Sequence, residues 1–219
     1  MKTIVSSLLP FCMILCNWLT AQENLTQSKD DYDRRKKFEI GLKAGDNGSD
    51  IFDTKGENFT SNPVVGFAGG AFLSIPLGRF MGIQPEVLFS QKGFKATWNE
   101  LGNGYSYTQI SNYLDVPILF QIKPSPFLTI LVGPDYSYLT HTKFTFSNSF
   151  ITSTQQSDIE NQNIRKNILA GELGLDFNIK YFVISARIAM DLQDNNGNGT
   201  STSIRYANAW GQLTLGFKL

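Results

Sequence analysis

Cysteine is nearly absent. Both cysteines, Cys12 and Cys16, fall within the first 21 residues, and none follows up to residue 219. The remainder can form no disulfide, no thiolate metal site and no cysteine nucleophile. Histidine is reduced to His141. Charged residues are 17% of the sequence, with no formal net charge. That is below the roughly 25% of soluble globular proteins, so neither a charge-rich disordered chain nor a basic nucleic-acid binder fits. Long apolar runs are missing too: after residue 21 none approaches the roughly 20 residues of a spanning helix. What is plentiful is glycine, with 19 residues, and aromatics, at 13%. The hydrophobicity is spread thinly, and its period carries the information.

Lys2, the mostly apolar stretch Ile4 to Leu19 and the small Ala21 before Gln22 read as a secretory signal peptide over 1–21. Leu15 is too large to precede a lipid-modified cysteine at 16. Residues 22–37 read as a polar periplasmic tail ending in Asp33, Arg34, Arg35, Lys36 and Lys37. Without Lys2 the acids exceed the bases by one, which leaves little steering of charged partners.

From Phe38 the pattern changes to a period of two, the mark of strands with unlike faces. Phe38, Ile40, Leu42 and Ala44 alternate with Glu39, Gly41, Lys43 and Gly45. The same alternation recurs over 65–75, 83–92, 113–122, 128–138, 169–179, 184–191 and 208–219. Connections near 77–80, 123–126 and 178–181 are short, whereas 46–63, 97–111, 141–164 and 193–202 are long and polar. Eight such strands predict an all-β, eight-stranded antiparallel up-and-down barrel over 38–219, with short turns at one end and loops at the other.

Alternation alone does not say which face points outward. A soluble carrier of lipocalin type lines its cavity with the apolar face; a membrane barrel turns that face to lipid. Three features favour the membrane. The polar rows mix small residues with isolated charges of both signs, as a filled narrow lumen requires. Glu39, Lys43, Glu86, Lys92, Asp115, Asp135, Glu172, Asp176, Arg187, Asp191 and Lys218 are predicted to form an internal charge network. Phe94, Trp98, Tyr105, Tyr107, Tyr136, Tyr138, Tyr181, Phe182 and Phe217 gather near strand ends, where interfacial girdles form. The last strand carries Phe217 and Leu219 on its apolar face and is placed to close against the first, since an open edge in lipid leaves backbone groups unpaired.

Candidate sites are few. His141 shares strand parity with Asp135 and Ser137, a set that a lipid-modifying enzyme would use. But His141 lies four residues, roughly 13 Å along a strand, from Ser137, too far for a base on its nucleophile. Asp194 to Gly199 matches the first half of a calcium loop, D-x-N-x-N-G, but Arg205 stands where the bidentate Glu belongs. Asn24, Asn47, Asn58 and Asn198 begin N-x-S/T sequons, which would be glycan sites in a eukaryotic secreted protein and chance matches in a bacterial one. No nucleotide, haem or zinc motif is present, and no catalytic, cofactor-binding or metal-ligating residue is expected.

The stretches GFAGGAFLSIPL (66–77), IQPEVLFSQKG (83–93), YLDVPILFQI (113–122) and LVGPDYSYL (131–139) resemble the outer-membrane beta-barrel family of Bacteroidota, also called porin family or PorT-like proteins. The Pro-Glu, Val-Pro and Gly-Pro pairs in that order carry the resemblance. It implies an eight-stranded outer-membrane barrel in a Gram-negative cell, with no shared active site and, for PorT itself, a link to type IX secretion. Leu219 departs from the aromatic that more usually ends such a barrel. The expected function is structural, surface-interacting or secretion-accessory rather than enzymatic or a wide pore. Expected partners are outer-membrane lipid, the barrel assembly machinery and an extracellular or secretion-system protein met through Trp98, Tyr105, Tyr107, Phe144, Phe146 and Phe150. The alternatives are the soluble lipocalin-like carrier, which lacks its Gly-x-Trp start here, and the lipid-modifying enzyme.

Overall fold

A computed structural model describes residues 33–53, 60–100, 103–148, 152–157, 165–195 and 206–219. Among them are nine strands: β1 (Glu39–Asp53), β2 (Thr60–Pro76), β3 (Met81–Glu100), β4 (Asn103–Ile122), β5 (Leu128–Asn148), β6 (Thr152–Ser157), β7 (Asn167–Ile179), β8 (Phe182–Asp191) and β9 (Tyr206–Lys218). Eight close a ring in the order β1-β2-β3-β4-β5-β7-β8-β9, with β9 returning to β1 from Gly41↔Lys218 to Asp53↔Tyr206. All pairings are antiparallel. Closure leaves no open edge in the ring, as a strand assembly in lipid requires.

The apolar rows point outward. Leu42, Val65, Val87, Ile118, Leu173, Ile188 and Leu215 are all exposed, while Lys43, Glu86, Asp115, Glu172 and Arg187, their neighbours in the opposite rows, are buried. A polar interior inside an apolar exterior inverts the arrangement of a soluble carrier, so the lipocalin-like alternative is set aside. No helix among the described residues is long and apolar enough to cross a membrane.

The barrel differs from expectation in three ways. The strands run much further into the segments read as loops: β3 and β4 have 20 residues each and meet in a hairpin at Glu100↔Asn103. A span of lipid needs only about 9–11 residues. In the excess the outer row carries exposed Lys95 and Lys143 instead of apolar residues, which removes the alternation that betrays a strand. Secondly, β6 pairs with β5 from Thr142↔Ser157 to Ser147↔Thr152, on the edge that β7 uses lower down. It is a ninth, accessory strand of polar sequence.

The third difference is a bulge. Between Asn112↔His141 and Tyr113↔Leu139 the register slips by one, leaving Thr140 unopposed. Its hydroxyl donates to the Asn112 carbonyl at 2.9 Å. A one-residue slip exchanges the faces of everything beyond it. Asp135, Ser137 and Leu139 are buried in the inward row, and the next buried residue is Thr142, not His141. His141 therefore does not share a face with Asp135 and Ser137, and the constellation suggested by parity is dissolved.

Short turns join β2 to β3, β4 to β5 and β7 to β8. The last of these is a two-residue turn closed by Ile179↔Phe182, with Lys180 at φ 55°. A positive φ at the first central residue matches the turn to the twist of its strands.

Candidate functional site

The inward rows meet in a lumen held by different chemistry at each level. At the short-turn end, Lys218 Nζ lies 2.8 Å from Glu39 Oε2 and donates to Asn178 Oδ1 at 2.6 Å. This ties β9 to β1 and to the end of β7. Lys123, just past β4, donates to Ser74 Oγ at 3.2 Å and to the Arg35 carbonyl at 3.4 Å, and Arg35 donates back to the Lys123 carbonyl at 3.5 Å. Burial there holds the Lys123 ammonium below the ordinary lysine range.

At the waist, Arg187 of β8 stands opposite Gly174 of β7. A Cβ at position 174 would collide with the Arg187 side chain. The glycine lets the guanidinium lie across β7 between the two acids that flank position 174 in the same row. Nη1 is 2.6 Å from Asp176 Oδ1, and Nε is 3.0 Å from Glu172 Oε1. Nη2 reaches Glu86 Oε1 of β3 at 3.6 Å, and Glu86 also pairs with Lys43 of β1. Gln84 donates to Glu86 at 2.7 Å and to Asp176 at 3.3 Å, and accepts from Gln121. These side chains are almost wholly removed from solvent, where charge is tolerated because opposite partners lie in contact.

Above the waist, Lys92 Nζ is 3.1 Å from both oxygens of Asp115 and 3.0 Å from Ser137 Oγ, which donates to Asp115 at 2.6 Å. The ammonium sits 3.6 Å from the centre of the Trp210 ring and 5.0 Å from that of Tyr113, a cation–π seat deep in the lumen. Asp191 accepts from the Asn208 backbone and side chain and from Asn195 at 2.6–3.1 Å. Nearest the long hairpins the lining turns apolar: Ile51, Phe94, Ala96 and Tyr206 cluster, with half-buried Tyr107 against them. The Phe94 and Tyr206 rings are 5.2 Å apart, and Gln109 donates to the Tyr206 hydroxyl at 2.7 Å.

All eleven charges proposed for the interior are buried. Nine stand in ion pairs: Glu39, Lys43, Glu86, Lys92, Asp115, Glu172, Asp176, Arg187 and Lys218. Asp191 is held by amides instead, and Asp135 keeps an oxygen with no partner among the described residues. Of the aromatics proposed for contact, Tyr107 and Phe144 stack on each other at 5.9 Å, and Phe146 is exposed. Trp98 and Tyr105 pair by backbone across the β3–β4 hairpin. Phe150 lies outside the described residues.

Phe94 belongs to the lumen and not to a girdle; Tyr136, Tyr138, Tyr181, Phe182 and Phe217 face outward. Asn47 is buried with its amide donating to Ser90 and to the Gln91 carbonyl, so its sequon is inaccessible. Asn24, Asn58, Asn198 and most of the calcium-like loop fall outside the described residues. Asn195, within that loop, turns to Asp191. Among the described residues no group of three or more His, Asp or Glu is placed to hold a metal.

Charge alone singled out the ionic residues but missed their neutral partners: Gln84, Gln121, Ser137, Asn178, Asn208, Tyr113 and Trp210. Their position in the inward phase was the available signal.

Among solved structures, the chain is similar to Ail, the attachment invasion locus protein of Yersinia pestis, crystallised with the heparin analogue sucrose octasulfate. Identity is 16%, with 83% of this chain and 99% of that one covered, at a TM-score of 0.47. For Neisserial surface protein A the values are 9%, 83%, 97% and 0.42. For OprG of Pseudomonas aeruginosa they are 14%, 84%, 97% and 0.38. None of the curated proteins matches. The outer membrane protein beta-barrel domain family matches residues 21–196. With its closed ring, lipid-ready exterior and ion-paired interior, the chain belongs to that outer-membrane β-barrel family.

Proposed function

We propose that this outer-membrane barrel is a passive scaffold, neither an enzyme nor a wide diffusion pore, whose work is done by what it shows outside the lipid. The observation that carries this reading is the filled waist, where Lys43, Glu86, Glu172, Asp176 and Arg187 from four strands meet in contact. An eight-stranded interior is just wide enough for its side chains to fill. The long β3–β4 and β5–β6 hairpins are then the surface left to recognise something, with Phe146 as an exposed contact residue. A secretion-accessory role of PorT-like kind is the particular form of this reading that the sequence resemblance supports.

The test joins two measurements on the purified, refolded chain and on cells. In planar bilayers the protein should give no stable open-channel steps. A photoreactive side chain at position 146 should yield a discrete crosslinked adduct on intact cells, whereas one at lipid-facing Leu173 should not. Sustained conductance of porin size would overturn the scaffold reading, and absence of any adduct at position 146 would remove the surface-recognition part.

A further inference from the structure

We infer that the short-turn end of the barrel is a collar that selects anionic phospholipid in the leaflet it faces. The inference rests on the reading that this end lies at the periplasmic side. The chain segments that meet there share one composition. Arg35, Lys36, Lys37 and Phe38 lead into β1; Leu77 to Phe80 includes Arg79 and Phe80; Lys123 to Phe127 begins with lysine and ends on an aromatic; Lys180, Tyr181 and Phe182 make the last turn; and Phe217 and Lys218 end β9. None of these residues is acidic, although Asp30, Asp31 and Asp33 precede them in the chain.

The structure separates this set into an inner and an outer layer. Lys123 and Lys218 point in and are consumed by the lumen contacts already described. Lys36, Lys37, Arg79 and Lys180 are exposed on the rim. Phe38, Phe80, Phe127, Tyr181, Phe182 and Phe217 are exposed beside them. The cations and rings are interleaved. The Arg79 guanidinium lies 5.9 Å from the Phe80 ring centre, Arg35 approaches the same ring at 5.3 Å, and Lys180 lies 5.3 Å from the Tyr181 ring. Tyr181 and Phe182 both pack on Phe217, at 6.2 and 5.6 Å.

Rings at this depth sit among headgroups. They hold the adjacent ammonium groups at the level of lipid phosphates, where each is worth about 1 kcal/mol toward an anionic surface, or roughly fivefold in affinity. The opposite end mixes the signs: Asp46, Asp50 and Asp53 of β1 and Glu100 of β3 stand with Lys95 of β3, Lys143 of β5 and Lys166 just before β7. A phosphatidylglycerol-type headgroup is the partner that matches a ring of cations seated on aromatics. A zwitterionic headgroup supplies no net charge to reward it.

The experiment titrates the detergent-purified, folded chain with phosphatidylglycerol or phosphatidylethanolamine of identical acyl chains and counts bound lipid by native mass spectrometry. Heat-modifiable gel mobility is checked first for every variant. Absence of that shift in the wild type refutes the barrel reading and the collar with it. The wild type should prefer phosphatidylglycerol. The combined variant Lys36→Gln, Lys37→Gln, Lys180→Gln should lose roughly fivefold per lysine at low salt. The variant Lys95→Gln, Lys143→Gln, Lys166→Gln should keep the preference. Equal binding of the two lipids by wild type, equal loss in both variants, or soluble polyphosphate competing as well as phosphatidylglycerol would each overturn the proposal.

Discussion

Replacing Arg187 by alanine removes one cation from between three carboxylates, and the structure ranks what each loses. Glu86 keeps Lys43 and Gln84, and Asp176 keeps Gln84. Glu172 has no other ion pair among the described contacts. Stranding a buried charge by deleting its partner costs about 3–5 kcal/mol. Because two of the three acids retain partners, most of that cost should fall on Glu172. Urea unfolding of the refolded protein in detergent, followed by tryptophan fluorescence and gel mobility, reads it as a fall in the unfolding midpoint at unchanged slope. A double-mutant cycle isolates the pair: Glu172→Gln should be destabilising in wild type, yet recover about 1–2 kcal/mol in the Arg187→Ala background. A cost for Arg187→Ala below about 1 kcal/mol, or the same effect of Glu172→Gln in both backgrounds, would refute the reasoning and mean that water serves these acids as well as the guanidinium does.

Three further outcomes follow from the same geometry. Gly174→Ala should cost about 1–3 kcal/mol by displacing Arg187, whereas Gly171→Ala, whose added carbon would meet only Leu192 at 3.9 Å, should shift the urea midpoint little. Trp210→Leu should cost about 1–2 kcal/mol through the lost Lys92 contact, and pairing it with Lys92→Met should show the two changes to be less than additive. Leu173→Arg, on the lipid face, should lower stability by about 2–4 kcal/mol if it lies near the bilayer midplane, measured in liposomes of fixed thickness; a neutral result would place that residue at the interface.

The closed barrel was legible because its cause is periodic. Lipid on one side and a packed polar lumen on the other impose a two-residue alternation, and Leu114 to Ile122 against Tyr113 to Gln121 carries it without a break. Where lipid ends, so does the code: Thr97–Asn99 and Thr108–Ile110 are paired strands, but their sequence reads as loop. The Thr140 bulge was hidden for a related reason, since parity counts residues and a bulge adds one without changing polarity. In the lumen, charge pointed to Arg187 and its acids. The register that sets Arg187 over Gly174 is a relation between strands, which no local pattern contains.

The ion pairs also bear on how such a chain comes together. Lys43 belongs to β1, Glu86 to β3 and Arg187 to β8, while Lys218 and Glu39 face each other across the β9–β1 junction. The Lys92–Asp115 pair is complete within β3 and β4, but the Arg187 group draws on β3, β7 and β8 and Glu39 meets Lys218 only across the closing junction, so a half-assembled sheet still carries uncompensated charge on the side that must become its interior. Inserting such a sheet into lipid is penalised until the first and last strands meet. Joining them neutralises several charges at once, acting as a latch that makes assembly close to all-or-none and makes escape from the folded state slow.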